Sequence, residues 1–260
     1  MNRFPLFIAI VATTQFLVGC ETVGNSILSS ETNASRLIAA QEQYTPESFR
    51  AYGVLAFRSI ATDESWGRYL NICRGFIASI PESSELASGG IPLNEQMATV
   101  WPVDDPGLGD ELRALPAGEQ QSLCPEIVKS IDLQASREAI RLGRVSSSPR
   151  MGLSGVNEDF KAARERFDSI VQRRGPFLIA WSPAANIGQP ETPILVADLS
   201  DVTTADNAIR VFQDWTGQIV ANPELWGHSS GWDLEKLRDT LRLWADRYGA
   251  NVLKAIGFTE

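Results

Sequence analysis

The sequence predicts an α/β or α+β fold, a single mixed-sheet sandwich with about five strands and about five helices. Short apolar runs alternate along the chain with longer segments whose apolar residues recur every three or four positions. Two of these runs lack the polar alternation of a half-exposed strand, which indicates strands covered on both faces. The composition, 43% hydrophobic and 21% charged, is typical of a globular protein.

The first predicted strand and helix follow a polar segment. Residues 20–48 are rich in Ser, Thr, Asn, Gln and Glu, and we interpret them as a tether with a short helix near residues 37–44. The apolar run 52–57 predicts a buried strand. Thr62 is a suitable N-cap for the helical apolar pattern that follows, and Pro81 ends that helix.

The middle of the chain carries weaker signals. Residues 97–101 precede a proline and predict the next strand, whereas residues 104–120 combine proline, glycine and acids and predict a surface loop. Residues 126–131 predict a short strand. Asp132 is expected to cap a helix to about Leu142.

Two strongly apolar runs, 177–181 and 194–197, predict central strands. The connection 182–193 contains three prolines and no helical period, which favours an antiparallel hairpin over a parallel crossover. Asn157 is expected to cap the helix that precedes the first run, after a flexible loop at 144–150.

Two further helices complete the predicted fold. One starts at Thr203 or Thr204, and the other spans about 233–248. Both show apolar residues at spacings of three and four.

The first residues of the chain form a recognisable signal. Arg3 precedes about a dozen mostly apolar residues, too short a run for a spanning helix, and the run ends in Leu17-Val18-Gly19-Cys20. This ending resembles the lipobox of bacterial lipoproteins. The resemblance implies removal of residues 1–19 as a signal peptide and attachment of diacylglycerol to the Cys20 thiol.

The same resemblance implies a location and a domain plan. We expect a lipid-anchored protein facing the periplasm, with residues 49–260 as the folded domain. Glu21 follows the lipid cysteine, where aspartate commonly signals inner-membrane retention, so the outer membrane is favoured. An ordinary secretory signal ending near a cysteine is the alternative.

The charge balance excludes some partners. The net charge is −9 at pH 7, and no basic stripe stands out, so we expect no nucleic-acid partner. The expected partners are the membrane, through the lipid, and an envelope protein or the cell wall.

The other two cysteines form an even pair. In an oxidising compartment, Cys73 and Cys124 favour a disulfide, with two separately buried thiols as the alternative. Their wide separation and the single histidine of the chain give no indication of a metal site, and no motif indicates a cofactor.

No coherent catalytic set emerges from the sequence. His228 lies in a glycine-rich loop, and Ser154 lacks the spacing and preceding strand of a nucleophile elbow. Asp198 and Asp201 follow a predicted central strand, where carboxylates can serve chemistry, although a role in the turn is the simpler interpretation.

Arginines and tryptophans leave two further possibilities open. Seven arginines could form an anion-binding patch or solvated helix faces paired with Glu138, Glu165 and Asp168. They are Arg137, Arg141, Arg144, Arg164, Arg166, Arg173 and Arg174. Trp66, Trp215 and Trp244 fall on predicted core faces, and the other tryptophans could lie in the core, at its rim or against a sugar.

Three functional hypotheses follow. The first is a non-enzymatic envelope lipoprotein with an accessory, assembly or binding domain. The second is an envelope hydrolase that uses Asp198 and Asp201 or His228. The third is a lipid or lipoprotein carrier, which needs an apolar cavity larger than a few hundred Å3.

Overall fold

A mixed β-sheet flanked by helices on both faces forms the fold, as the sequence predicts. The computed structural model describes residues 32–148, 158–192, 194–221 and 253–256. Its strands are β1 (Asn33–Ala39), β2 (Ala51–Ala56), β3 (Gln96–Pro102), β4 (Phe177–Trp181), β5 (Ile194–Asp198) and β6 (Leu253–Ile256).

The sheet has six strands in the order β1-β3-β2-β4-β5-β6. The first three in this order are parallel to one another, and each remaining pair is antiparallel. The predicted hairpin between β4 and β5 is therefore confirmed.

Helices cover both faces of the sheet and give each face its own apolar core. The described helices are α1 (Asp63–Ser79), α2 (Ser83–Ser88), α3 (Pro106–Ala114), α4 (Ala117–Gln120), α5 (Cys124–Lys129), α6 (Leu133–Ser146), α7 (Glu158–Val171) and α8 (Ala205–Ala221). α1, α3, α5 and α8 pack on one face, and α6 and α7 pack on the other. Neighbouring strand residues such as Leu178 and Ile179 enter opposite cores, which explains why β4 is apolar throughout.

Local signals explain where the best-predicted helices start. The α1 N-cap is Thr62, whose backbone N–H donates to Ser65 Oγ at 2.8 Å. Asp132 caps α6, because its Oδ1 accepts from the backbone N–H groups of Gln134 at 2.7 Å and Ala135 at 2.9 Å. The predicted Asn157 cap and the predicted helix at 233–248 lie outside the described residues.

The predicted disulfide is present between Cys73 and Cys124. It joins α1 to α5 at a Cα–Cα distance of 5.8 Å, and both cysteines are fully buried.

The predicted tether at 20–48 is wrong for residues 33–39, which form β1 and pair in parallel with β3. Small residues hid this strand: Ala34 and Ala39 are buried beside Leu37 and Ile38. The expected short helix near 37–44 is reduced to one 3-10 turn, Gln41–Gln43.

Three other expectations are also wrong. The segment 104–120 contains two helices, and Asp105 caps the first by accepting from Gly107 N–H at 2.8 Å. Residues 126–131 are not a strand, because Cys124, Ile127 and Val128 form the buried face of α5. The expected flexible loop at 144–150 begins within α6, which continues to Ser146.

Candidate functional site

β2 and β5 run in the same direction, and antiparallel β4 lies between them. The last residues of β2 and β5 therefore lie beside the first residue of β4, at the edge of the sheet that the strand ends form. The register pairs Ala56 with Phe177 and Phe177 with Asp198, so these three residues lie side by side. A cleft with a volume of about 930 Å3 lies beyond this edge. The start of α1 and the segments 172–174 and 200–203 line it.

Arginines dominate the charge of this cleft. Four arginines and two carboxylates line it: Arg58, Arg68, Arg173, Arg174, Glu64 and Asp201. We call it the arginine cleft. The local excess of positive charge contrasts with the net charge of −9 of the whole chain, so the cleft is a place where an anion would be attracted.

Two carboxylates hold the guanidinium of Arg173. Its Nη1 lies 2.6 Å from Asp198 Oδ2, and its Nη2 lies 3.0 Å from Asp201 Oδ2. The side chain of Asp198 is 1% exposed, whereas that of Asp201 is 77% exposed. Arg173 therefore has a buried inner partner and an outer partner in contact with solvent.

A turn after β5 positions Asp198. Its Oδ1 accepts hydrogen bonds from the backbone N–H of Ser200 at 2.9 Å and from Ser200 Oγ at 2.5 Å. Ser200 Oγ in turn accepts from the backbone N–H of Gly175 at 2.8 Å. This network fixes the buried carboxylate, and with it the inner side of the Arg173 guanidinium.

Arg58 and Arg68 are positioned by backbone carbonyls. Arg58 Nη1 donates to the carbonyl of Gln172 at 2.5 Å, just beyond the end of α7. Arg68 Nη1 donates to the carbonyl of Ser200 at 2.8 Å, while its buried Nε has no hydrogen-bond partner in the described part of the chain. Because a guanidinium has five N–H donors, both side chains retain donors for a ligand.

Arg174 has a different environment. It is exposed at the cleft, and among the described residues it makes no hydrogen bond or ion pair. Its charge is therefore the least engaged of the four.

The first turn of α1 contributes to the same cleft. Thr62 and Ser65 line it, and α1 is 17 residues long. The N-terminal end of a helix carries a partial positive charge, which adds to that of the arginines. Glu64 lies on the same turn and opposes this effect.

Asp198 and Asp201 follow a central strand, as the sequence predicts, and both contact Arg173 rather than form a carboxylate pair for chemistry. His228 and Ser154 lie outside the described residues. No group of three or more potential metal ligands occurs among the residues that the structure describes.

Four of the seven arginines singled out in the sequence divide into two groups. Arg141 pairs with Glu138 at 2.6 Å, and Arg144 pairs with Asp168 at 2.7 Å, on the outer helix faces. The hydrogen bond from Arg141 lowers the pKa of Glu138. Arg173 and Arg174 belong instead to the arginine cleft.

Sequence reasoning missed Arg58 and Arg68. A signal for Arg58 was available, since it follows the apolar run 52–57 directly and so had to lie at the end of a buried strand. Arg68 carries no such signal, because the polar side of a helix is normally solvated.

The described tryptophans belong mainly to the core. Trp101, Trp181 and Trp215 are each at most 2% exposed, and Trp66 packs against the core. Trp181 Nε1 donates to Ser146 Oγ, and Trp215 Nε1 donates to Thr99 Oγ1, both at 3.1 Å. These rings are therefore unable to form a sugar-binding platform. Trp226, Trp232 and Trp244 lie outside the described residues.

A second, smaller pocket of about 250 Å3 lies on the other face of the sheet, between α6 and the segment that joins β1 to β2. Tyr44, Tyr52 and Leu142 are among the residues that line it. Burial raises the pKa of both tyrosines, and that of Tyr52 lies well above its usual value. This volume is below what a lipid carrier needs.

Comparison with known proteins gives no relative: no family model, curated protein or solved structure matches this chain. None of the helices in the described ranges is long and apolar enough to cross a membrane.

Proposed function

We propose that this chain is a lipid-anchored protein of the bacterial cell envelope whose folded domain binds an anionic ligand in the arginine cleft. The observation that carries the proposal is the convergence of four arginines on one open cleft of an acidic protein. The lipobox at Cys20 supports the anchored location. Periplasm-facing attachment at the outer membrane follows from Glu21 as part of the same proposal.

Binding accounts for the arginine cleft better than hydrolysis does. A hydrolase would need Asp198 or Asp201 free to take up or donate a proton at a substrate. Asp198 is instead buried, ion-paired with Arg173 and hydrogen-bonded twice by Ser200, and Asp201 is exposed and ion-paired with Arg173, so the two do not form an acid–base pair. By contrast, Arg174 makes no hydrogen bond or ion pair within the described chain, and Arg58 and Arg68 each have five N–H donors, more than their contacts with backbone carbonyls use.

The anchor is tested by Cys20→Ala in intact cells. We expect the variant to appear in the soluble periplasmic fraction or as an uncleaved precursor, because the acyl chains of a lipid-modified cysteine provide lasting membrane attachment. Metabolic labelling with a fatty acid should mark the wild type and not the variant. Normal processing and unchanged membrane extraction of the variant would refute the anchor.

The binding surface is tested by Arg174→Gln. The full-length protein in a non-ionic detergent is titrated calorimetrically with inorganic phosphate at constant ionic strength. We expect this variant to bind about tenfold more weakly than wild type, since a charge-assisted hydrogen bond contributes about 1.5 kcal/mol.

Arg137→Gln is the matched control, because it removes one exposed arginine from α6, on the other face of the sheet. It should bind phosphate like wild type. Equal weakening by the two variants would show a general charge effect and would contradict the proposed site.

A further inference from the structure

Asp201 occupies the outer side of Arg173 in the way that an anionic ligand would. We infer that Asp201 is an internal competitor, which a phosphate ester displaces from Arg173 when it binds in the arginine cleft. This inference rests on the proposed function and adds the ligand class and the residue that sets the affinity.

The two ion pairs of Arg173 differ in the way that such a competition requires. The inner pair, to Asp198, is buried and supported by Ser200, so it holds the guanidinium in place when the outer partner leaves. The outer pair, to Asp201, is exposed, and an exposed ion pair contributes little to stability. Only the outer partner can be exchanged without leaving a buried charge unpaired.

The position of Asp201 makes the exchange possible. It lies on the turn after β5, where the backbone N–H of Val202 donates to the carbonyl of Leu199 at 3.1 Å. Its only ion pair within the described chain is with Arg173. Asp201 also lines the cleft. When its carboxylate moves away from Arg173, the positive charge that faces a ligand increases.

The number of arginines favours a phosphate ester over a carboxylate. A carboxylate offers two oxygens in one plane and is satisfied by a single guanidinium. A phosphate monoester offers three oxygens and suits several arginines together with the first turn of a helix. Arg58, Arg68, Arg173 and Arg174 line one cleft with the start of α1.

The size of the cleft indicates that more than the phosphate enters. About 930 Å3 exceeds what an inorganic anion occupies, so the cleft has room for the organic part of an ester. The ester could be a membrane lipid headgroup or a soluble metabolite, because both present the same charged group.

The test compares Asp201→Asn with wild type by calorimetric titration of the full-length protein in a non-ionic detergent. Two probes are used at constant ionic strength: glycerol 3-phosphate, and short-chain phosphatidic acid as the lipid headgroup. We expect Asp201→Asn to bind at least one probe about fivefold more tightly, since removal of an exposed ion-pair partner frees up to about 1 kcal/mol. The probe that binds more tightly identifies the source of the ligand.

Two controls isolate the competition. Asp201→Glu keeps the charge and should bind like wild type. Glu138→Gln removes a carboxylate from another exposed arginine pair, on the opposite face of the sheet, and should also leave the affinity unchanged. Arg173→Gln alone would leave Asp198 buried and unpaired. The contribution of Arg173 to ligand binding is therefore tested in the double variant Arg173→Gln, Asp198→Asn, whose affinity for the probe should fall at least tenfold.

The outcomes separate this inference from the proposed function. If wild type binds a probe, Arg174→Gln weakens binding, and Asp201→Asn leaves the affinity unchanged or lowers it, the internal competitor is refuted while the anion site stands. If neither wild type nor Asp201→Asn binds either probe at millimolar concentration, the proposed function fails and this inference fails with it. Detectable binding by Asp201→Asn alone would support the competition directly.

Discussion

Gly75 shows how one residue sets the distance between two helices. A Cβ atom at this position would lie 2.8 Å from the carbonyl carbon of Ala208 and 2.9 Å from the backbone nitrogen of Ile209. Both are backbone atoms of α8, which cannot rotate aside as a side chain can. The close approach of α1 and α8, which begin at the edge of the arginine cleft, therefore depends on a residue without a side chain.

Gly75→Ala should lower the free energy of unfolding by about 1–3 kcal/mol, because α1 must move away from α8 or strain the backbone. Urea denaturation followed by circular dichroism measures the change. Gly67→Ala is the control on the same helix, since its added Cβ meets nothing within 4 Å. It should be neutral or stabilising by up to about 1 kcal/mol, and equal destabilisation by both variants would contradict the packing argument.

Tyr52 makes the free energy of unfolding depend on pH in the alkaline range. Burial raises its pKa well above the usual value in the folded state, so the folded protein keeps a proton that the unfolded chain loses near pH 10. The stabilisation is complete below about pH 10 and is lost as the pH rises toward the folded-state pKa. The slope approaches about 1.4 kcal/mol per pH unit.

Tyr52→Phe should remove this contribution. We expect the difference in unfolding free energy between wild type and variant to be constant from pH 7 to 9 and to shift in favour of the variant between pH 10 and 11. Urea denaturation at each pH measures it. Burial also raises the pKa of Tyr44, and its hydrogen bond with Tyr52, which the variant loses, opposes that rise. Tyr44 therefore still contributes in the same direction in the variant. Parallel pH profiles of the two proteins through pH 11 would contradict the assignment.

At the scale of elements, burial decides what the sequence can predict. The strands β2, β4 and β5 are short, continuous apolar runs, and the helices α1 and α8 carry large apolar residues at spacings of three and four. These patterns follow directly from burial, so the sequence predicts these elements well. The shorter elements lack this advantage. α3 has a proline in its first turn, which is also typical of loops, and the few apolar residues of α5 suit a short strand equally well. Only tertiary contacts distinguish these alternatives.

The candidate site was predictable only in part. The pattern after β5 identifies Asp198 and Asp201 as residues at a strand end, but not their shared partner, Arg173. That contact joins residues 25 or more positions apart. The arrival of Arg58 at the same cleft depends in addition on the order of β2, β4 and β5 in the sheet. Sheet order follows from the packing of the whole chain, for which periodicity carries no signal.

The strand β1 offers a direct test of the corrected domain boundary. Ile38 is 4% exposed and packs in the core with α1 and β3, so Ile38→Ala should lower the free energy of unfolding by about 2–4 kcal/mol. Ile60→Ala is the matched control, because Ile60 is 58% exposed. A flexible tether at 33–39 would make both changes equally neutral in chemical denaturation, and that result would contradict the strand.

At the scale of the whole molecule, the disulfide joins parts of one core that are far apart in the sequence. Cys73 and Cys124 are 51 positions apart, and the closed loop contains α2, β3, α3 and α4. Cross-linking such a loop restricts the unfolded chain, and the chain-entropy model assigns about 4 kcal/mol to it. The double variant Cys73→Ala, Cys124→Ala should therefore lose about this amount in urea denaturation.

The same disulfide connects stability to the proposed location. If the protein folds in the oxidising periplasm, as the lipobox at Cys20 suggests, the bond forms there. A chain produced in a reducing cytosol without residues 1–20 should contain two free thiols, those of Cys73 and Cys124, and unfold at a lower urea concentration, close to that of the double variant. Oxidation of the purified protein should restore the higher midpoint, whereas equal midpoints before and after oxidation would show that the disulfide does not stabilise the fold.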